Sequence, residues 1–135
     1  PLVEAVREAR KEASRRPDLK FPVGRLNQIG KHVYAYSGMI AGSTGGQTTY
    51  LEFVTSSEYI RASVQQGSTN ETTRKTVFVY FNDHLIIRND VDNSYPFPNT
   101  YDIIIPPFTK TKISLTLGGD DGMSSWFTLT GEAYE

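Results

Sequence analysis

The sharpest pattern of apolar and polar positions runs from Tyr101 to Leu117, YDIIIPPFTKTKISLTL. Ile103, Ile104 and Ile105 form an unbroken apolar run, Pro106 and Pro107 interrupt it, and Ile113, Leu115 and Leu117 then alternate with Lys112, Ser114 and Thr116. Period two places one row of side chains in a core and the other in water, whereas three successive isoleucines call for cover on both faces. Proline removes a ladder hydrogen bond, so the pair predicts a corner where one strand ends and the chain turns into the next.

From Lys31 onward the same texture of β-branched and aromatic residues, punctuated by glycine, asparagine and serine, predicts further strands. They span Lys31 to Ile40, Gln47 to Thr55, Glu58 to Gln66, Lys75 to Phe81, His84 to Asn89, Tyr101 to Ile105, Thr109 to Leu117 and Ser124 to Tyr134, eight in all. Asn82-Asp83 between VFVYF and HLIIR is the clearest hairpin signal, because both residues tolerate the left-handed backbone of a two-residue loop. Eight short strands with turn signals and no helix between them predict an all-β fold, an eight-stranded antiparallel β-sandwich, with a jelly roll as one topology that fits. Val77, Val79, Phe81, Phe127 and Leu129 form the expected inward rows. In the first strand His32, Tyr34 and Tyr36 share one face, and Val33, Ala35 and Met39 the other. Tyr34 and Tyr36, with Ile104, make a second apolar face, expected to pack against another copy of the chain or to be covered by the N-terminal arm.

Ahead of the sandwich domain, residues 31–135, lies an arm, residues 1–30. Leu2, Val6, Ala9 and Ala13 follow helical spacing, so about residues 2–16 read as a helix with a thin apolar stripe. A helix of that length is marginal alone and needs a surface to lie on. Pro17 ends it, and Asp18 to Gln28 reads as an extended linker with apolar anchors at Leu19, Phe21, Val23 and Leu26. The arm is expected to dock on another chain, with folding back on its own domain as the alternative.

Charge sharpens this division. The net charge of −1 conceals a basic segment, residues 1–25, at +3 and a remainder at −4. Arg7, Arg10, Lys11, Arg15 and Arg16 could contact phosphates, but Glu4, Glu8 and Glu12 are interleaved with them, which disfavours nucleic acid. The chain of 135 residues is long enough for a real core, and the absence of cysteine excludes disulfides and thiolate chemistry. No apolar run approaches the roughly 18–20 residues of a membrane-spanning helix, so a soluble chain with no membrane partner is expected. Proline at position 1 suggests a natural terminus left by removal of an initiator methionine.

Candidate chemistry is sparse. His32 and His84 have no metal-ligand spacing. Asn89-Asp-Val-Asp-Asn-Ser94 resembles the opening of a calcium loop but carries Tyr95 and Tyr101 where glycine and glutamate are required, so it reads as a polar loop. Asp120-Asp121 reads likewise. Glu52 and Glu58 lie near strand ends with no partner carboxylate in view, there is no G-x-S-x-G elbow, and Asn70-Glu71-Thr72 is an isolated glycosylation sequon. No catalytic residue, metal or cofactor is predicted, and the chain is expected not to be an enzyme.

At Ile103 to Thr109, IIIPPFT followed by K-x-K and an alternating strand, the chain resembles the C-terminal part of small β-sandwich virion proteins of tailed bacteriophages. The resemblance extends over the body, from YAYSG at Tyr34 to Gly38, through TTYLEFVTSSEYI at Thr48 to Ile60 and VYFNDHLI at Val79 to Ile86, to FTLTGEAY at Phe127 to Tyr134. It implies a capsid decoration (cement) protein or related head or fibre component on the virion surface, assembled as a homotrimer with its arm reaching onto the major capsid protein. On that reading Leu2, Val6, Arg7, Arg10, Lys11, Arg15, Arg16 and Phe21 form the docking arm, and Tyr34, Tyr36 and Ile104 the self-association face. The second expectation is a carbohydrate- or receptor-binding module using Trp126, Tyr95 and Tyr101; the third is a small hydrolase on a jelly roll.

Overall fold

The computed structural model describes residues 24–43, 45–68, 74–91, 98–118 and 124–135. They form ten strands: β1 (Asn27–Ile29), β2 (His32–Tyr36), β3 (Ile40–Ala41), β4 (Thr48–Val54), β5 (Tyr59–Ser68), β6 (Lys75–Phe81), β7 (His84–Val91), β8 (Asn99–Ile105), β9 (Lys110–Leu117) and β10 (Ser124–Tyr134). One sheet has the order β1-β2-β10-β5-β8, with β3 also on β10, and the other the order β4-β9-β6-β7. Every pairing is antiparallel. The described residues are thus all-β, two sheets packed as a sandwich.

Alternation explains the core. Val77, Val79, Ile113, Leu115, Phe127 and Leu129 are fully buried between the sheets, and Phe81 packs against them at the margin. Beyond Tyr101 the core is continued by a buried polar chain, in which Asn99 Nδ2 donates to Gln66 Oε1 at 3.2 Å, Gln66 Nε2 donates to Ser68 Oγ at 2.9 Å, and the Ser68 and Ser125 hydroxyls are 2.9 Å apart.

Several sequence expectations are corrected. The strand count is ten among the described residues, not eight. The run from Lys31 to Ile40 is two strands, because Gly38 takes φ +71° and the chain steps sideways before resuming along β10. Ser37 closes the gap: its N–H donates to Phe127 O at 3.0 Å and its Oγ accepts from Phe127 N–H at 2.8 Å. The same step turns Met39 outward instead of leaving it beside Val33 and Ala35 in the core. Ile104 is not covered on its outer side; it is 63% exposed while Ile103 and Ile105 are buried.

The end of the presumed linker is sheet. β1 pairs with β2, and Gly24 ties the two sheets together at their edge, donating its N–H to Tyr36 O at 2.8 Å and accepting from Glu52 N–H at 3.0 Å. The docking-arm residues Leu2, Val6, Arg7, Arg10, Lys11, Arg15, Arg16 and Phe21 lie outside the described residues, as does Tyr95.

Candidate docking surface

The pairing registers line up the outward side chains of the larger sheet in rows. One row runs Ile29, His32, Glu132, Arg61, Ile104 across β1, β2, β10, β5 and β8. The next runs Asn27, Tyr34, Thr130, Ser63, Asp102. Tyr34 and Tyr36 therefore stand on the same outer face as Ile104. Their rings are 5.4 Å apart. Yet β10 and β5 separate them from Ile104, and the residues between are Thr130, Ser63, Glu132 and Arg61. The three residues share a face but do not form one continuous apolar patch.

The intervening strip holds a groove of about 550 Å³, walled by Ile104 and Tyr134 and edged by Arg61, Asp102 and Glu132. Gly131 is among its lining residues, and there β10 approaches β5 so closely that a Cβ would lie 2.1 Å from the Arg61 carbonyl oxygen. Asp102 accepts a short hydrogen bond from the Ser63 hydroxyl, and the Tyr134 hydroxyl donates to Glu132 Oε2 at 3.0 Å, so the rim side chains are held in place.

The exposed apolar side chains gather at one end of the sandwich, which includes the Ile104 and Tyr134 walls of this groove. Three short connections meet there: residues 55–58 between β4 and β5, 82–83 between β6 and β7, and 106–109 between β8 and β9. Of the ten large apolar side chains that the described residues leave exposed, eight lie at this end, among them Val54, Tyr59, Ile104, Phe108 and Tyr134. Only Tyr36 and Met39 lie toward the other end.

Phe108 is the extreme case. It is 71% exposed and takes φ +53°, a left-handed backbone that costs a residue with a Cβ about 1–2 kcal/mol. Pro107 and Phe108 are the central residues of the turn, and the second of these places favours glycine or asparagine. The corner is held from outside. The buried Thr55 hydroxyl donates to Pro106 O at 2.7 Å and accepts from Thr109 N–H at 2.8 Å, and Phe108 N–H donates to Ser56 O at 2.9 Å. The β6–β7 turn braces the same corner, since Asn82 and Asp83 have φ +50° and +66° and Asn82 exchanges main-chain and side-chain bonds with Lys110 at 2.8 and 2.9 Å. Sequence reasoning found the Pro106-Pro107 corner but not Phe108 as its exposed tip. The available signal was a large aromatic directly after two prolines, in a turn where no alternation could bury it.

The smaller sheet presents a different outer face. Phe78 and Tyr80 stack at 6.3 Å, with the Arg88 guanidinium 6.0 Å from the Phe78 ring and the Lys112 ammonium 5.8 Å from the Tyr80 ring. These contacts occupy the ring faces with neighbours from the same chain. Of the three aromatics expected to stack on a sugar, Trp126, Tyr95 and Tyr101, the two among the described residues are split. Trp126 lies on the outer face of the larger sheet, packed so closely over Gly67 that a Cβ there would fall 2.3 Å from the indole, while Tyr101 turns toward the core and accepts a hydrogen bond from Asn89 Nδ2 at 2.7 Å.

Among the described residues no three His, Asp or Glu side chains converge on a metal position, and no helix is long and apolar enough to cross a membrane. His32 and His84 lie at the starts of β2 and β7, in different sheets. Glu52 is 4.0 Å from Lys110 Nζ, and Glu58 accepts from Gln28 Nε2 at 3.4 Å, so the two carboxylates have separate partners. No family model matches the chain, and no curated protein matches it.

Proposed function

We propose that this chain is a virion structural protein, a capsid decoration or cement protein that attaches to the lattice of a major capsid protein. The observation that carries the reading is the gathering of exposed apolar side chains at one end of the sandwich, a surface suited to packing against another protein subunit in an assembly. The strand order supports it. With β2 and β4 to β10 lettered B to I in chain order, the sheets read B-I-D-G and C-H-E-F. That order is the jelly roll of two Greek keys, an architecture recurrent in viral capsid and lectin domains. Fold alone does not specify function, so the exposed apolar end carries more weight than the topology.

In this reading the body self-associates, as a trimer, and the basic arm fastens it to the shell. Arg7, Arg10, Lys11, Arg15 and Arg16 pair with shell carboxylates, while Leu2, Val6 and Phe21 supply apolar contact. A carbohydrate- or receptor-binding module is the less favoured reading, since Trp126 and Tyr101 point to opposite sides of their sheet.

Co-sedimentation with shells of the virus that encodes the chain, assembled without it, tests the proposal. Full-length protein should pellet with the shells. A truncation of residues 1–22, which leaves Gly24 bonded to Tyr36 and Glu52, should stay folded and remain in the supernatant. Full-length protein that never pellets would overturn the attachment; a truncated chain that pellets as well as full-length would overturn the role of the arm.

A further inference from the structure

Two features lie side by side at the short-turn end. Phe108 protrudes on a backbone fixed by Thr55, Ser56 and two prolines, and beside it the larger sheet carries the groove at Gly131, between Ile104 and Tyr134. An aromatic ring on a corner already rigid loses little conformational freedom on binding, which favours anchor residues of this kind. A groove of about 550 Å³ is large enough for a phenylalanine ring with part of its turn.

We infer that Phe108 is a preformed knob that inserts into the Gly131 groove of a second copy of this chain. The area is of the right size. Where each partner contributes both knob and groove, Phe108, Tyr59, Ile104 and Tyr134 together expose on the order of 500 Å², against roughly 800 Å² contributed by each partner in a standard interface, so the polar rim supplies the remainder. The rim is equipped for that, with Arg61, Asp102 and Glu132 around the groove. Knob and groove are different surfaces, so one-way insertion repeated around a closed ring gives a trimer, and reciprocal insertion about a twofold axis gives a dimer. The inference deepens the self-association part of the proposed function and relocates it, from the Tyr34 and Tyr36 region to the other end of the same face.

The test uses the full chain in solution, with no shell present, so its result and that of the co-sedimentation are independent. Phe108→Asn removes the knob while keeping a residue that accepts the left-handed backbone. Thr130→Trp fills the groove from an exposed position on β10. Sedimentation velocity should show an oligomer for the native chain and monomers for each variant, at unchanged or higher denaturation midpoint for Phe108→Asn. Mixing the two variants should restore a one-to-one pair, because one retains the groove and the other the knob. A native chain monomeric at every concentration up to about a hundred micromolar, an oligomer that survives Phe108→Asn, or a mixture that stays monomeric would each overturn the inference.

Discussion

Thr55 and Thr109 bind each other in both directions: the Thr55 N–H donates to Thr109 O at 3.0 Å, and the Thr109 N–H donates to Thr55 Oγ1 at 2.8 Å. The same hydroxyl donates to Pro106 O at 2.7 Å. Pro106 O and Thr109 N–H are the two groups that a four-residue turn ordinarily joins directly, so a side chain from the β4–β5 connection has been inserted into the turn. The corner that displays Phe108 is therefore completed by tertiary structure.

Thr55→Val should accordingly cost about 2–3 kcal/mol. The shape is kept, but the buried Thr109 N–H loses its side-chain partner and the Pro106 carbonyl loses its donor. Thr55→Ser, which retains the hydroxyl, should cost less than half as much. Urea denaturation of the three proteins gives the comparison; equal midpoints for Val and native chains would show that the hydroxyl bridge contributes nothing.

Thr111 presents the opposite case. It is fully buried on β9, opposite Phe53 and Phe81, and its Oγ1 is the buried side-chain polar atom without a partner among the described residues. Replacing an unsatisfied hydroxyl by a methyl group of similar volume removes a desolvation penalty, so Thr111→Val should raise stability by about 1 kcal/mol. A lower unfolding midpoint for Thr111→Val would mean that the hydroxyl finds a partner in solution.

These two threonines mark how far the sequence could be read. Strand positions such as Val77, Val79, Phe127 and Leu129 were legible because a half-buried strand imposes period two on its own residues. The tight Asn82-Asp83 turn was legible because its backbone restricts which residues can occupy it. β1 and β3 were not, since strands of three and two residues are too short to show a period. Ile104 misled because β8, like every strand of a two-sheet sandwich, is buried on its inner side alone, and a composition of three isoleucines looks the same with one face covered as with two. For Phe108 the deciding partners, Thr55 and Ser56, arrive from another connection, and the groove at Gly131 is lined by three strands distant in sequence, β5, β8 and β10. Both are relationships between distant segments, which no local pattern encodes. Tyr34 and Tyr36 were placed on the correct face, but the register that separates them from Ile104 is set by β10 and β5.

The remaining prediction concerns alkaline pH. Burial pushes the Tyr50 phenol above its usual value, with the Ser125 side-chain hydrogen bond opposing part of the shift, and its hydroxyl donates to Ile40 O at 2.9 Å. Burial also raises Tyr101, opposed by the hydrogen bond from Asn89. Both groups hold their protons more tightly in the folded chain than in the unfolded one, where tyrosine ionises near about pH 10. The stability contributed by keeping them neutral is fully present below that pH. It is lost as pH rises from there through the folded values, because the unfolded chain then binds fewer protons. Denaturation midpoints should therefore be level between about pH 8 and 9.5 and fall above about 10. Tyr101→Phe should flatten the fall, and so should Tyr50→Phe, which also lowers the plateau by removing the bond to Ile40. An alkaline slope unchanged in the double variant would assign the loss to other groups.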